Sequence, residues 1–179
     1  MIYLDRGDEA RAVSEFEREL ATEAQGHLYS RECCANTWYA IGSLELWKGR
    51  IEEARAAFER AIDRVAIHPM ARVGLEAVRA RARGAHDASA VSMSSDDPPR
   101  TSIIDTAMCE AAHILLERGQ RRSDGPNDPR RAADVIETAL AGAPAASAGW
   151  LIPLDPLLRV RAAPDAWASV LVRLRARAA

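Results

Sequence analysis

Cys109, Glu110 and His113 come nearest in this sequence to residue types and spacing that could do chemistry. On a helix, Cys109 and His113 lie one turn apart, as do Glu110 and His113, so either pair could offer two ligands to one metal ion. A site needs more ligands, and no second motif of that kind occurs, so we expect no metal and no cofactor. Cys33 and Cys34 stand beside Arg31 and Glu32. One reading is a redox-sensitive thiol pair, because a neighbouring cation lowers a thiol pKa. The preferred reading is a pair of structural cysteines packed under Trp38. No Ser, Cys or His stands in a recognisable nucleophile–base motif, and the ten glycines are scattered at turns rather than gathered into a phosphate loop. Arg121, Arg122, Arg130 and Arg131 could receive a phosphate or carboxylate. Asp124, Asp128 and Asp134 balance them, which favours solvated loop charge. We therefore expect no enzyme.

Composition narrows the class. The chain has 179 residues, 48% of them hydrophobic, 28% charged and only 5% aromatic, which is one ordinary domain able to bury a core. Ala, Leu, Glu and Arg dominate, with few β-branched runs, so helix is expected nearly throughout and sheet nowhere. A net charge of −2 gives no bulk pull toward nucleic acid or membrane. Lys48 is the only lysine, a bias we read as GC-rich codon usage. Three cysteines, two of them adjacent, suit reduced thiols in the cytoplasm. No apolar run approaches the roughly 18 residues of a membrane span, and MIYLDRGDEARA is too charged for a signal peptide.

The helices that must position these residues follow from apolar periodicity. Helices are predicted over 8–23, 31–48, 51–65, 69–83, 103–118, 129–144 and from Pro164 to the end. Ser102 and Asp105 are spaced as a capping box for the fifth of these, and Asp128-Pro129 opens the sixth. The run 149–160, broken by Pro153 and Pro156, is expected to be extended and to pack Trp150, Leu154 and Leu157 onto the helices before it. In the final helix Trp167, Val170, Leu171 and Leu174 form the apolar face. Arg173, Arg175 and Arg177 form a solvated one, without the interleaved aromatics that nucleic-acid contact would favour.

Trp38, Ile41, Gly42, Gly49, Ala54, Phe58 and Ala61 give a hairpin pattern that resembles the tetratricopeptide repeat family. Glu45 stands where that family has an aromatic, and Ala66 where it has a proline. Met108, Ala112, Gly119, Ala132, Ile136, Ala139 and Pro144 form a second, weaker match, its turn swollen by QRRSDGPN. The resemblance implies an all-α fold of antiparallel helical hairpins stacked as a short α-solenoid, with a C-terminal capping helix. Gly7, Ala12 and Phe16 recur as Gly49, Ala54 and Phe58 at one constant offset, with Tyr3-Leu4 as the last turn of an earlier helix. Either the chain begins inside a longer array or an open hairpin caps that end. The expected organisation is hairpins over 1–83, the first incomplete, a linker over 84–101, and a second helical block over 102–179.

In that family the first helix of each hairpin lines a concave groove that holds a peptide or partner helix. The matching positions here are Asn36, Tyr39, Ser43 and Leu46, with Thr106, Cys109, His113 and Leu116 in the second unit. An equal alternative is that Tyr39 and Leu46 pack against neighbouring helices. The resemblance thus implies a non-enzymatic bacterial interaction scaffold whose partner is an unidentified protein or peptide. One alternative is a regulatory or sensory segment of a larger bacterial signalling or transcription regulator. Another is a small helical metal protein or enzyme using Cys109, Glu110 and His113. Val13, Phe16 and Leu20 form an apolar stripe that a short first helix leaves uncovered, so a homodimer through residues 1–20 is also expected.

Overall fold

The computed structural model describes residues 1–26, 28–82, 102–117, 128–144, 149 and 151–178, and these are all-α, with no strand among them. The α-helices are α1 (Ile2–Asp5), α2 (Glu9–Ala21), α3 (Ser30–Trp47), α4 (Ile51–Arg64), α5 (Pro69–Ala82), α6 (Ile103–Leu116), α7 (Pro129–Gly142) and α8 (Ala168–Ala178). The linker expected over 84–101 lies outside the described residues, as do Gly119, the insertion 120–127 and Trp150.

Local chemistry sets the helix ends. Asp8 accepts from the Arg11 backbone N–H at 3.2 Å and starts α2. Ser102 and Asp105 form the expected capping box, with Asp105 N–H donating to Ser102 Oγ at 3.1 Å. Asp128 accepts from the N–H groups of Arg130 and Arg131 at 2.9 and 3.2 Å, with Pro129 as the first helical residue of α7. Asp128→Ala leaves those donors to water and should cost about 1 kcal/mol of stability, read as a lower urea midpoint. Gly7 and Gly49 sit at φ 76° and 77°, a left-handed conformation that closes the turns into α2 and α4 without a Cβ penalty.

α3 and α4 pack along each other, and α5 lies across both before reaching α6, while α6 pairs with α7 and α7 with α8. One apolar cluster runs from Tyr39 to Val170 and takes in all of these helices. Its centre is Phe58, fully buried, whose ring lies between two glycines. A Cβ on Gly42 of α3 would stand 2.7 Å from the ring, and one on Gly74 of α5 would stand 2.4 Å from it. The ring thus fills the space two absent side chains leave, and three helices close on it. Glu45, at the position where an aromatic was expected, is half-buried and bonded through its carboxylate to the Arg50 guanidinium, 2.6 Å at one nitrogen.

Three sequence expectations need correcting. The last helix begins at Ala168 rather than Pro164, because residues 163–167 turn first, Trp167 N–H donating to the Pro164 carbonyl at 3.2 Å. Trp167 is buried ahead of the helix rather than on its face. The run 149–160 is not extended: 3-10 turns form at Ile152–Leu154 and Val160–Ala162, and Pro153, the second residue of the first, has the restricted φ such a turn needs. Leu157 is buried and Leu154 half-buried, but Ile152, Leu158 and Val160 bury as well. Arg173 and Arg177 do not form a solvated face. Arg173 pairs with Glu137 at 3.2 Å, and Arg177 donates to the Leu140 and Ala143 carbonyls at 2.7 and 3.2 Å, satisfying the open end of α7. Arg175 is exposed.

At the other end, α2 packs on α3. Phe16, the central residue of the stripe expected to be open, is 6% exposed and clusters with Ala12 and Ala40, against which Met1, Tyr3, Leu4 and Ile41 of the same chain pack. Leu20 is half-buried, while Val13 and Ile2 remain exposed.

Candidate functional site

Tyr39 on α3 reaches into the interior and donates its hydroxyl to the carboxylate of Asp155, 2.8 and 2.9 Å from its two oxygens. Asp155 lies on the turn between the two C-terminal 3-10 segments and is 8% exposed. The same carboxylate accepts from the backbone N–H groups of Leu157 and Leu158 at 2.9 and 3.2 Å, so all its bonds come from neutral donors. Burial pushes its carboxyl up to about 6, although those bonds favour the charged form. Burial and the Asp155 charge together hold the Tyr39 phenol well above its ordinary value, so it stays a donor. Two turns along α3, Trp47 donates its indole N–H to the Pro156 carbonyl at 3.0 Å, and the Arg159 guanidinium sits 4.9 Å over the Trp47 ring.

His68 is the third polar member of this interior, its ring 5.1 Å from that of Tyr39. Its Nδ1 accepts from the Ala71 N–H at 3.2 Å, which makes the imidazole the N-terminal cap of α5. The ring proton is therefore on Nε2, which faces Asn36 Oδ1 at 3.1 Å. Burial pushes the His68 pKa down to about 4, and a proton on Nδ1 would also point at the amide it caps.

Of the positions expected to line a groove, Tyr39, Ser43, Leu46 and Leu116 are buried, Cys109 and His113 half-buried, and Asn36 and Thr106 exposed. Ser43 returns its hydroxyl to the Tyr39 carbonyl at 2.8 Å. Of the residues in the hairpin pattern, Gly42, Ala54, Phe58 and Ala61 are buried and Gly49 is a left-handed turn, with Trp38 half-buried under the Arg60 guanidinium at 4.4 Å.

The metal-spaced residues diverge. Cys109 points at Met70 of α5, sulfur to sulfur 3.9 Å, and His113 faces Glu76 of α5 at 3.8 Å, while Glu110 lines a groove on the other side of α6. Among the described residues no three His, Cys, Asp or Glu side chains gather as a ligand set. Burial, then the charges of Asp105, Asp155 and Glu76, push the Cys109 thiol up to about 11. Cys33 is exposed and Cys34 buried, so neighbours in sequence face apart. Burial, then Glu23 and Glu19, raise the Cys34 thiol, the opposite of activation. Arg121, Arg122 and Asp124 lie outside the described residues, and Arg130 and Arg131 are exposed.

No family model, no curated protein and no solved structure matches the chain. What the chain offers a ligand must therefore be read from its own surface. Each complete hairpin leaves a groove between its two helices. The α3/α4 groove, about 540 Å³, has Trp38, Ile41 and Ala57 as floor and Glu53 and Arg60 at its walls. The α6/α7 groove, about 660 Å³, has Ile103, Val135 and Ala139 as floor and Thr106, Glu110 and Arg131 at its walls. Among the described residues no helix is long and apolar enough to cross a membrane.

Sequence reasoning missed Asp155, His68, Trp47 and Gly74. Asp155 carried a usable signal, a lone carboxylate inside the apolar run IPLDPLLRV, because a charge buried among leucines must be partnered. His68 directly precedes a helix-opening proline, the position of a cap.

Proposed function

We propose that this chain is a non-enzymatic interaction module, built of tetratricopeptide-like hairpins in a short solenoid and holding a peptide or helix of a partner protein in the bacterial cytoplasm. The observation that carries the reading is the pair of open helix–helix grooves, apolar at the floor and charged at the walls, one on each complete hairpin. Such a groove accepts an amphipathic helix, whose apolar anchors fill the floor while its flanks meet the charges. The repeated device supports the solenoid: Gly7 and Gly49 share one backbone conformation, and Ala12, Phe16, Ala54 and Phe58 are all buried. The polar interior of Tyr39, Asp155 and His68 holds helices together and turns no substrate.

Affinity capture with paired variants tests this. Thr106→Arg with Thr138→Arg fills the α6/α7 groove, and Ala56→Glu with Arg60→Glu alters the α3/α4 groove, all at exposed positions. A partner that co-purifies stoichiometrically with the wild type should be lost with one pair and kept with the other. Identical captures from all three proteins, or none from any, overturn the reading.

A further inference from the structure

Residues 151–163 sit in this fold as a ligand sits in a receptor. They form no α-helix, and their backbone bonds close only local turns such as Leu154 N–H to the Leu151 carbonyl at 2.9 Å. Their hold on the rest of the chain runs through side chains distant in sequence. The Tyr39 hydroxyl reads the Asp155 carboxylate, the Trp47 indole reads the Pro156 carbonyl, and Asp5 pairs with Arg161 at 2.7 Å. By folding back on the N–H groups of Leu157 and Leu158, Asp155 also fixes a turn that drives both leucines into the core. The carboxylate and the carbonyl after it are thus both read from α3, at positions two turns apart.

We infer that residues 152–160 are a resident ligand of the face of α3 that carries Tyr39 and Trp47. The partner they exclude is a segment of the same chemistry that makes the same turn: a carboxylate side chain, then a proline and two branched apolar residues. This rests on the reading of the chain as a partner-binding hairpin module and names the occupant of its inner face. Tyr39 is then buried as a reader of the segment, its hydroxyl on the Asp155 carboxylate. A tethered segment acts at an effective concentration on the order of millimolar. A free peptide of equal intrinsic affinity, at a Kd of about 10 μM, thus binds roughly a hundredfold more weakly than to the open face, and the face opens only when the tethered copy is weakened.

The probe is a fluorescein-labelled synthetic peptide of residues 151–161, titrated into the full-length protein and followed by anisotropy. Leu157→Asp puts a charge where the native side chain is fully buried and leaves the residues of α3 unaltered. The probe should bind this variant about a hundredfold more tightly than the wild type. Adding Tyr39→Phe, or replacing the probe's aspartate with asparagine, should weaken binding roughly tenfold or more, because each removes a charge-assisted hydrogen bond. Equal binding to wild type and variant, or no binding to a variant that keeps its helical circular dichroism, overturns the inference. A variant that loses helix supports it if the probe restores the helical signal and overturns it otherwise. Groove-dependent partner capture that persists while the probe fails would leave the interaction module standing without its resident ligand.

Discussion

Phe58→Ala is expected to lower the unfolding free energy by about 3–5 kcal/mol, and Gly74→Ala is expected to change sign in that background. The first figure is the usual cost of emptying a fully buried phenylalanine site that cannot collapse. Collapse is hindered because α3 and α5 meet the ring as bare backbone at Gly42 and Gly74, with no flexible side chain to move into the void. In the wild type a Cβ on Gly74 would stand 2.4 Å from the ring, so Gly74→Ala forces the ring or α5 to shift and should cost about 1–3 kcal/mol. Once the ring is gone, the same methyl enters empty space and gains the alanine helix preference, about 1 kcal/mol. Urea unfolding of the two single variants and the double variant closes the cycle. Additive losses, with Gly74→Ala destabilising in both backgrounds, would show that glycine and ring do not share one space.

That contact also shows how far the sequence could be read. Gly42 and Phe58 were legible because both lie in one hairpin, and a fixed spacing links them to Gly49, Ala54 and Ala61. Gly74 was not, because its partner arrives from another helix, and nothing local distinguishes a glycine pressed on a ring from one that merely lowers helix propensity. Helix starts were legible wherever a side chain caps its own backbone, as at Asp8, Ser102 and Asp128. The start of α8 was not, since Pro164 suits the first turn of a helix and a 3-10 turn alike. The groove positions show the deeper limit. Periodicity put Tyr39, Ser43 and Leu46 on one side of α3, but the carboxylate that the Tyr39 hydroxyl meets comes from a segment more than a hundred residues later. Periodicity assigns a face and is silent on which part of the chain covers it.

The buried polar interior should reveal itself by a pH dependence that cancels in the wild type and appears when either partner is removed. Asp155 is pushed up to about 6 in the folded chain, so on acidification the folded state takes a proton before the unfolded state does. Its contribution to stability therefore rises as pH falls from about 6 toward 4. His68 is pushed down to about 4, so between about pH 6.5 and 4 only the unfolded state takes the proton. Its contribution falls over nearly the same window. Each shift is about two units or slightly more, which corresponds to about 3 kcal/mol of opposite sign. The groups around them do not interfere: Tyr39 and Cys109 are both raised and stay protonated, and Asn36 and Ser43 do not titrate. Urea midpoints of the wild type should thus be nearly flat between pH 4.5 and 6.5. Asp155→Asn leaves His68 uncompensated, so that variant should lose stability as pH falls through this window. His68→Asn leaves Asp155 uncompensated and should gain stability over the same interval, from a lower starting value because α5 loses its cap. Parallel pH profiles for all three proteins would mean that neither group titrates inside the fold. Slopes of the same sign in the two variants would mean that burial does not govern at least one of them.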